Sequence, residues 1–136
     1  LDVNVLIALV WSFHVHHEQA RHWFREQRRA GIRTCPITQA GFVRISSNPR
    51  FTPDALTPDH AIALLASITS IPEHEFWPDD LPVSRAVLPG MLATHRQVTD
   101  AYLVALAKSR GGVLATLDRG VLGLGVELAA SVEVLG

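Results

Sequence analysis

Apolar residues along the chain fall into two patterns, short continuous runs and longer stretches with helical spacing. Residues 1–3 read as the end of a strand, and residues 4–11 as a short apolar helical turn. The stretch HVHHEQARHWFREQRRAG (14–31) predicts an amphipathic helix, with Val15, Ala20, Trp23, Phe24 and Gln27 on one side and Gly31 as its stop. Arg25, Arg28 and Arg29 put positive charge near its C-terminus, where the helix macrodipole favours it. IRTCP (32–36) predicts a short strand ended by Pro36, and ITQAGFVRISSNP (37–49) a helix ending at Asn48-Pro49. TPDHAIALLASI (57–68) has a strong helix start, with Thr57 as cap, Pro58 at the first position and Asp59 in the first turn. EFW (75–77) is a candidate strand, and a helix interrupted by Pro89-Gly90 is expected within 83–94. TDAYLVALAKSRGG (99–112) is the clearest helix, with Thr99 as cap and Gly111-Gly112 as stop. VLATLD (113–118) reads as a buried strand and VEVLG (132–136) as a last short one. Strands alternating with helices predict a three-layer α/β/α fold with a mainly parallel central sheet, in which ligands bind beyond the carboxyl ends of the strands.

Three carboxylates interrupt this pattern where strands end or a helix begins. Asp2 sits inside LDVNVLIAL, Asp118 closes VLATLD, and Asp100 lies in the first turn of the helix before that strand. Each has a plain structural explanation: Asp2 as the cap of the helix that follows, Asp100 as a charge favoured at a helix N-terminus, Asp118 as the opening of a turn before Gly120. Together, with both strands central, they converge on one edge of the sheet. Gathered carboxylates repel, and a divalent cation resolves the repulsion. Hard carboxylate oxygens suit Mg²⁺ or Mn²⁺, which retain waters and accept phosphate oxygens. Such an ion activates water for in-line attack on a phosphodiester.

The 136 residues suit a single domain spanning 1–136. A formal charge of −1 gives no strong overall field toward nucleic acid or membrane. One cysteine, Cys35, excludes an intrachain disulfide framework and reads as a buried apolar thiol in a reducing compartment. There is no apolar span long enough to cross a membrane and no signal-peptide pattern, so a cytoplasmic location is expected. The chain opens at Leu1 rather than Met, and preceding residues would extend the first strand. His14, His16, His17 and His22 lack the spacing of a metal motif and read as a solvated helix start. Arg44, Arg96 and Arg119 are candidate phosphate contacts, with His95 and Lys108 beside them; Arg119, adjacent to Asp118, is the strongest. Trp11, Trp23 and Trp77 read as core or interface residues rather than base-stacking platforms.

LDVNVLIAL, ITQAGFVRISSNP, VTDAYLVALA and LATLDRG, in this order, resemble the PIN-domain fold and, within it, the VapC ribonuclease toxins of bacterial toxin–antitoxin pairs. The resemblance runs from Leu1 to about Leu135. It implies a PIN-like domain and a metal-dependent endoribonuclease that cuts structured RNA, such as tRNA or rRNA. It also implies a cognate antitoxin and a homodimeric toxin. By position, Asp2, Asp100 and Asp118 match the family's catalytic, metal-binding acids. Asn4 matches a polar residue supporting the first acid, and Thr116 the small hydroxyl residue near the last. One departure stands out: the family's second acid is usually a glutamate, and Gln39 occupies that position here. Its amide oxygen can still ligate or orient, but it brings no charge, which favours one firmly held cation, or weak metal binding until RNA arrives, over a two-metal site.

Two rival readings come from other classes. The first is a catalytically weak or inactive module of the same fold that binds RNA or a partner protein, with Gln39 as its supporting feature. The second is a phosphotransferase of the haloacid-dehalogenase type with Asp2 as nucleophile. That chemistry prefers a second acid two residues on, where Asn4 stands.

Overall fold

The computed structural model describes every residue from Leu1 to Gly136. The chain divides into two compact units, one made of Leu1 and Val3–Pro78, the other of Asp2 and Asp79–Gly136.

In the first unit, α1 (Val3–Val10) and α2 (His17–Gln27) are followed by β1 (Ile32–Thr34), α3 (Pro36–Ser46), α4 (Pro58–Thr69) and β2 (His74–Phe76). β1 and β2 pair in parallel, with Ile32 opposite His74 and Thr34 opposite Phe76. A parallel pair needs a crossover, and α3 and α4 supply it. Leu6, Ile7, Phe42 and Leu65 form the core, drawn from α1, α3 and α4. Gly41 permits the close approach of α3 to α1, since a Cβ there would lie 3.0 Å from Val3 Cγ2. Thr57 caps α4 as expected, its hydroxyl accepting from the His60 N–H at 3.2 Å.

The second unit contains α5 (Val83–Ala86), α6 (Val98–Ser109), β3 (Leu114–Thr116), α7 (Val126–Ala129) and β4 (Val132–Val134). β3 and β4 are also parallel, with Thr116 opposite Val134. Every residue from Ala101 to Ala107 in α6 is buried, as befits a helix that is apolar all round. All three residues of β3 are buried, so it reads as a continuous apolar run rather than an alternating one.

The parallel sense expected from the sequence holds in both pairs, and the hydrogen-bonded strands form two two-stranded sheets. Several local expectations change. Residues 1–2 lie outside the assigned strands, although the Asp2 N–H donates to the Ala115 carbonyl of β3, and α1 starts at Val3 where the strand end was expected to reach. α2 begins only at His17, because His14 and His16 are spent on the preceding turn: the His16 N–H donates to His14 Nδ1 at 3.2 Å. The His17 ring nitrogen donates to the Ala8 carbonyl at 2.7 Å, so this histidine fastens the turn rather than facing solvent. Outside the helix, Val15 is 88% exposed, and Gln27 is exposed as well, so neither belongs to the apolar face assigned to it. Pro89-Gly90 prevents rather than interrupts the helix expected over 83–94, leaving four helical residues. Thr99 lies inside α6 and does not cap it; a 3₁₀ turn, His95–Gln97, leads in from Thr94. Cys35 is buried, as expected, and precedes α3, with Thr38 Oγ1 accepting from its N–H at 3.2 Å. Trp11 packs on the first unit's core and donates to Ser46 Oγ at 3.1 Å.

Candidate active site

The second unit gathers the three acids expected from the sequence. β3 ends at Thr116, a residue with no exposed surface. Its hydroxyl donates to Asp2 Oδ2 at 2.6 Å and accepts from the Asp118 N–H at 3.1 Å. One side chain therefore fixes both the first and the last acid. The Asp2 N–H donates to the Ala115 carbonyl at 2.9 Å, which anchors its backbone beside β3. Asp2 is only 5% exposed, and a buried carboxylate requires compensation. Asp118 stands at the N-terminus of a 3₁₀ turn, Arg119–Leu124, where its Oδ1 accepts from the Gly120 N–H at 2.7 Å. A Cβ at Gly120 would lie 3.0 Å from Asp118 Oδ1, so a larger residue there would make the carboxylate shift by a few tenths of an ångström.

Asp100 lies in the first turn of α6 and is half-buried. Burial raises its pKa, and the charges of Asp2 and Asp118 raise it further. Asp100 thus feels the charge of the other two carboxylates. No three acidic, histidine or cysteine side chains close on one point tightly enough to cage an ion. The donor set fits a hydrated hard cation better than a closed site. It consists of oxygens alone, and Mg²⁺ typically binds one or two carboxylates while keeping several waters. A cation there would relieve the strain recorded at Asp100.

The remaining candidates are placed as follows. Arg119 and Arg96 are exposed in the second unit. Asn4, Gln39 and Arg44 belong to the first: Asn4 in the first turn of α1, Gln39 and the exposed Arg44 on α3. Gln39 Nε2 donates to Thr34 Oγ1 at 2.9 Å. Thr34 and His74 were not singled out in the sequence. Their connection depends on strand register, which nothing in the local pattern reveals.

The PIN domain family model matches residues 1–124. The chain belongs to the PIN-domain family. Ribonuclease VapC39 of Mycobacterium tuberculosis is 52% identical over 120 residues, which is 87% of this chain and 86% of that protein. Ribonuclease VapC44 of the same organism is 45% identical over 123 residues, 89% of this chain and 86% of its own. Ribonuclease VapC38 is 43% identical over 124 residues, covering 91% and 87%. Within the PIN-domain family, then, this chain stands with the VapC ribonucleases, a group generally dependent on a divalent metal. No helix of this PIN-domain chain is long and apolar enough to cross a membrane.

Proposed function

We propose that this chain is a Mg²⁺- or Mn²⁺-dependent endoribonuclease, the toxin of a toxin–antitoxin pair, with Asp2, Asp100 and Asp118 as its metal-binding acids. The class of reaction is that of the VapC ribonucleases it resembles along most of its length. The observation that carries the site assignment is the Thr116 hydroxyl, which donates to Asp2 and accepts from the Asp118 N–H, with the half-buried Asp100 close enough that both acids add to the effect of burial in raising its pKa. When bound, the divalent cation supplies a Lewis acid that activates water and neutralises charge on the phosphodiester. Thr116 holds Asp2 in place by donating to it, and through the Asp118 N–H sets where the last acid begins. The Gly120 N–H then fixes the rotamer of Asp118. Asn4 and Gln39 are supporting residues by position. Arg119, Arg96 and Arg44 contribute phosphate contacts, which add affinity and salt dependence without sequence choice.

The RNA is structured, such as tRNA or rRNA, the chain acts in the cytoplasm as a single PIN-like domain, and its partner is an antitoxin protein. A groove of about 380 Å³ in the first unit supports a protein partner: Leu6, Val10, Phe24 and Ile68 give it an apolar floor, with Arg25 and Arg28 at its edge. Self-association into a homodimer belongs to the same reading and is measured by light scattering.

The test is cleavage of a total RNA pool by purified protein with Mg²⁺, Mn²⁺ or EDTA, beside Asp118→Asn prepared identically. Discrete metal-dependent cuts that the variant lacks are expected. Equal cutting by the variant, or none by folded antitoxin-free protein, would favour a binding module instead.

A further inference from the structure

Three aromatic rings of the first unit meet at the end of α1. Trp11 follows that helix, Phe13 lies in the turn beyond it, and Phe51 in the loop between α3 and α4. Ring centroids lie 5.4 Å apart for Trp11 and Phe13, 5.6 Å for Phe13 and Phe51, and 5.8 Å for Trp11 and Phe51. Trp11 and Phe51 pack on the core of Leu6, Ile7, Phe42 and Leu65. Phe13 rests on these two rings and keeps 54% of its surface exposed. It meets them at 52° and 43°, tilted rather than stacked, so neither covers it face to face. Both supports are fixed. The Trp11 indole N–H donates to Ser46 Oγ at 3.1 Å, and Ser46 has no exposed surface. Asn48 accepts from the Arg50 N–H on its Oδ1 at 2.9 Å and from the Phe51 N–H on its carbonyl at 2.9 Å. A ring held on such a base loses little freedom when a ligand covers it, which favours binding.

Charge says what covers this ledge. Residues 11–17 and 44–56, which carry the rings, hold Arg44, Arg50 and three histidines against one acid, Asp54. Arg44 and Arg50 are exposed, and neither guanidinium forms an ion pair. Arg50 directly precedes Phe51. An open aromatic face beside a free cation suits single-stranded nucleic acid: the ring stacks a base of any identity while the cation meets a phosphate. A second copy of the chain fits less well, because a two-fold contact uses the same patch twice and would bring the cations of one copy toward those of the other. We propose that Phe13 is a base-stacking residue, and that the ledge of Trp11, Phe13 and Phe51 with Arg50 holds an unpaired nucleotide and so favours RNA with an unpaired loop over a continuous duplex. Trp11 remains a core residue and Phe13 supplies the open face. This rests on the endoribonuclease reading, which makes RNA the ligand.

Fluorescence anisotropy in EDTA, where metal-dependent cutting cannot intervene, tests it with two labelled probes. One is a hairpin RNA with a loop of adenosines; the other is the same hairpin with an abasic loop, which keeps the phosphates and removes the bases. The parent should bind the adenosine loop at least about fivefold more tightly, the gain expected from one stacked base. Phe13→Ala and Phe13→Leu should erase this preference, and Phe13→Trp should keep it. Phe13 is more than half exposed, so all three should melt with the parent. Arg50→Gln should weaken both hairpins alike and lower the salt slope by about one. Equal affinity of the parent for the two loops overturns the proposal, and so does a preference that survives Phe13→Ala. A Phe13→Ala variant that binds RNA as the parent does but changes oligomeric state in light scattering would make the ledge a protein interface and overturn it as well. Absence of metal-dependent cleavage by the parent would count against the nuclease instead, and the loop preference would still report stacking.

Discussion

Each parallel strand pair carries a threonine at the end of its first strand, and the two do different work. Thr34 ends β1 and Thr116 ends β3; both are buried, and both hydroxyls accept one hydrogen bond and lie against a second partner. Thr34 joins a neutral amide to an imidazole. Thr116 joins a carboxylate to a backbone N–H. The scaffold places a hydroxyl at the carboxyl end of a strand in both cases, where ligands of parallel sheets collect. What distinguishes them is charge. Around Thr116, burial and the charges of Asp2 and Asp118 raise the cost of ionising Asp100, which makes the place suited to a cation. Around Thr34 the network is neutral and settles the direction of an amide.

The sharpest way to break this comparison is to delete each hydroxyl isosterically. Thr116→Val withdraws a donor from the buried Asp2 carboxylate, and hydrogen bonds to charged groups contribute about 1.5–3 kcal/mol. Residues that orient metal ligands typically change metal affinity by about 10–100-fold. Urea unfolding should therefore show a loss in that range, and titration calorimetry a matching fall in Mg²⁺ affinity. Thr34→Val removes only neutral bonds and should destabilise by about 1 kcal/mol. Equal losses at the two sites would erase the distinction.

Much of this contrast could be read before any coordinates. Asp2, Asp100 and Asp118 were found because each sits where a strand ends or a helix begins, and Thr116 because the family's pattern includes it. Those signals are local. The Thr34–His74 bond joins residues whose neighbours in sequence say nothing of each other; strand register alone brings them together. The same limit explains the errors near the histidines. Periodicity placed Val15 on a buried helical face, but ring-to-backbone bonds from His14 and His17 hold the preceding residues in a turn and leave Val15 in solvent. In the stretch after Pro82, Pro89-Gly90 outweighed apolar spacing, which shortened a helix to Val83–Ala86.

Asp100→Asn should act with the opposite sign to the threonine deletions. The folded pKa of Asp100 is raised, so the native state binds its proton more tightly than the unfolded chain. Stability from this group is therefore present in acid, below the ordinary value of 3.8, and lost as pH rises through the folded value. At pH 7 the full penalty is in force. Asparagine removes it, so the variant should melt higher than the parent at pH 7, with the gap closing as the pH falls toward 3.8, while RNA cleavage is lost. Saturating Mg²⁺ should raise the parent's Tm and narrow the same gap, since a ligand at 100 times its Kd stabilises by about 2.7 kcal/mol. A variant less stable than the parent at neutral pH would show that the acids are not strained.

The smallest expected effect sharpens the comparison from the neutral side. Burial lowers the pKa of His74, against opposing contributions from the main chain at Thr69 and from Glu75. A depressed folded pKa means the unfolded chain binds the proton more readily, so this contribution is complete above the ordinary value of 6.5 and declines as pH falls through the folded value. Below pH 6.5 the parent's Tm should therefore fall more steeply than that of His74→Gln, whose amide can meet the Thr34 hydroxyl without titrating. Some slope should persist in the variant, because burial, His16 and His17 also lower the pKa of His14. Mild acid thus weakens the region around Thr34, whereas protonation at lower pH relieves the region around Thr116. Identical Tm profiles for parent and variant would show that the imidazole does not couple to stability and would leave charge at the acids as the main pH-dependent difference between the two regions.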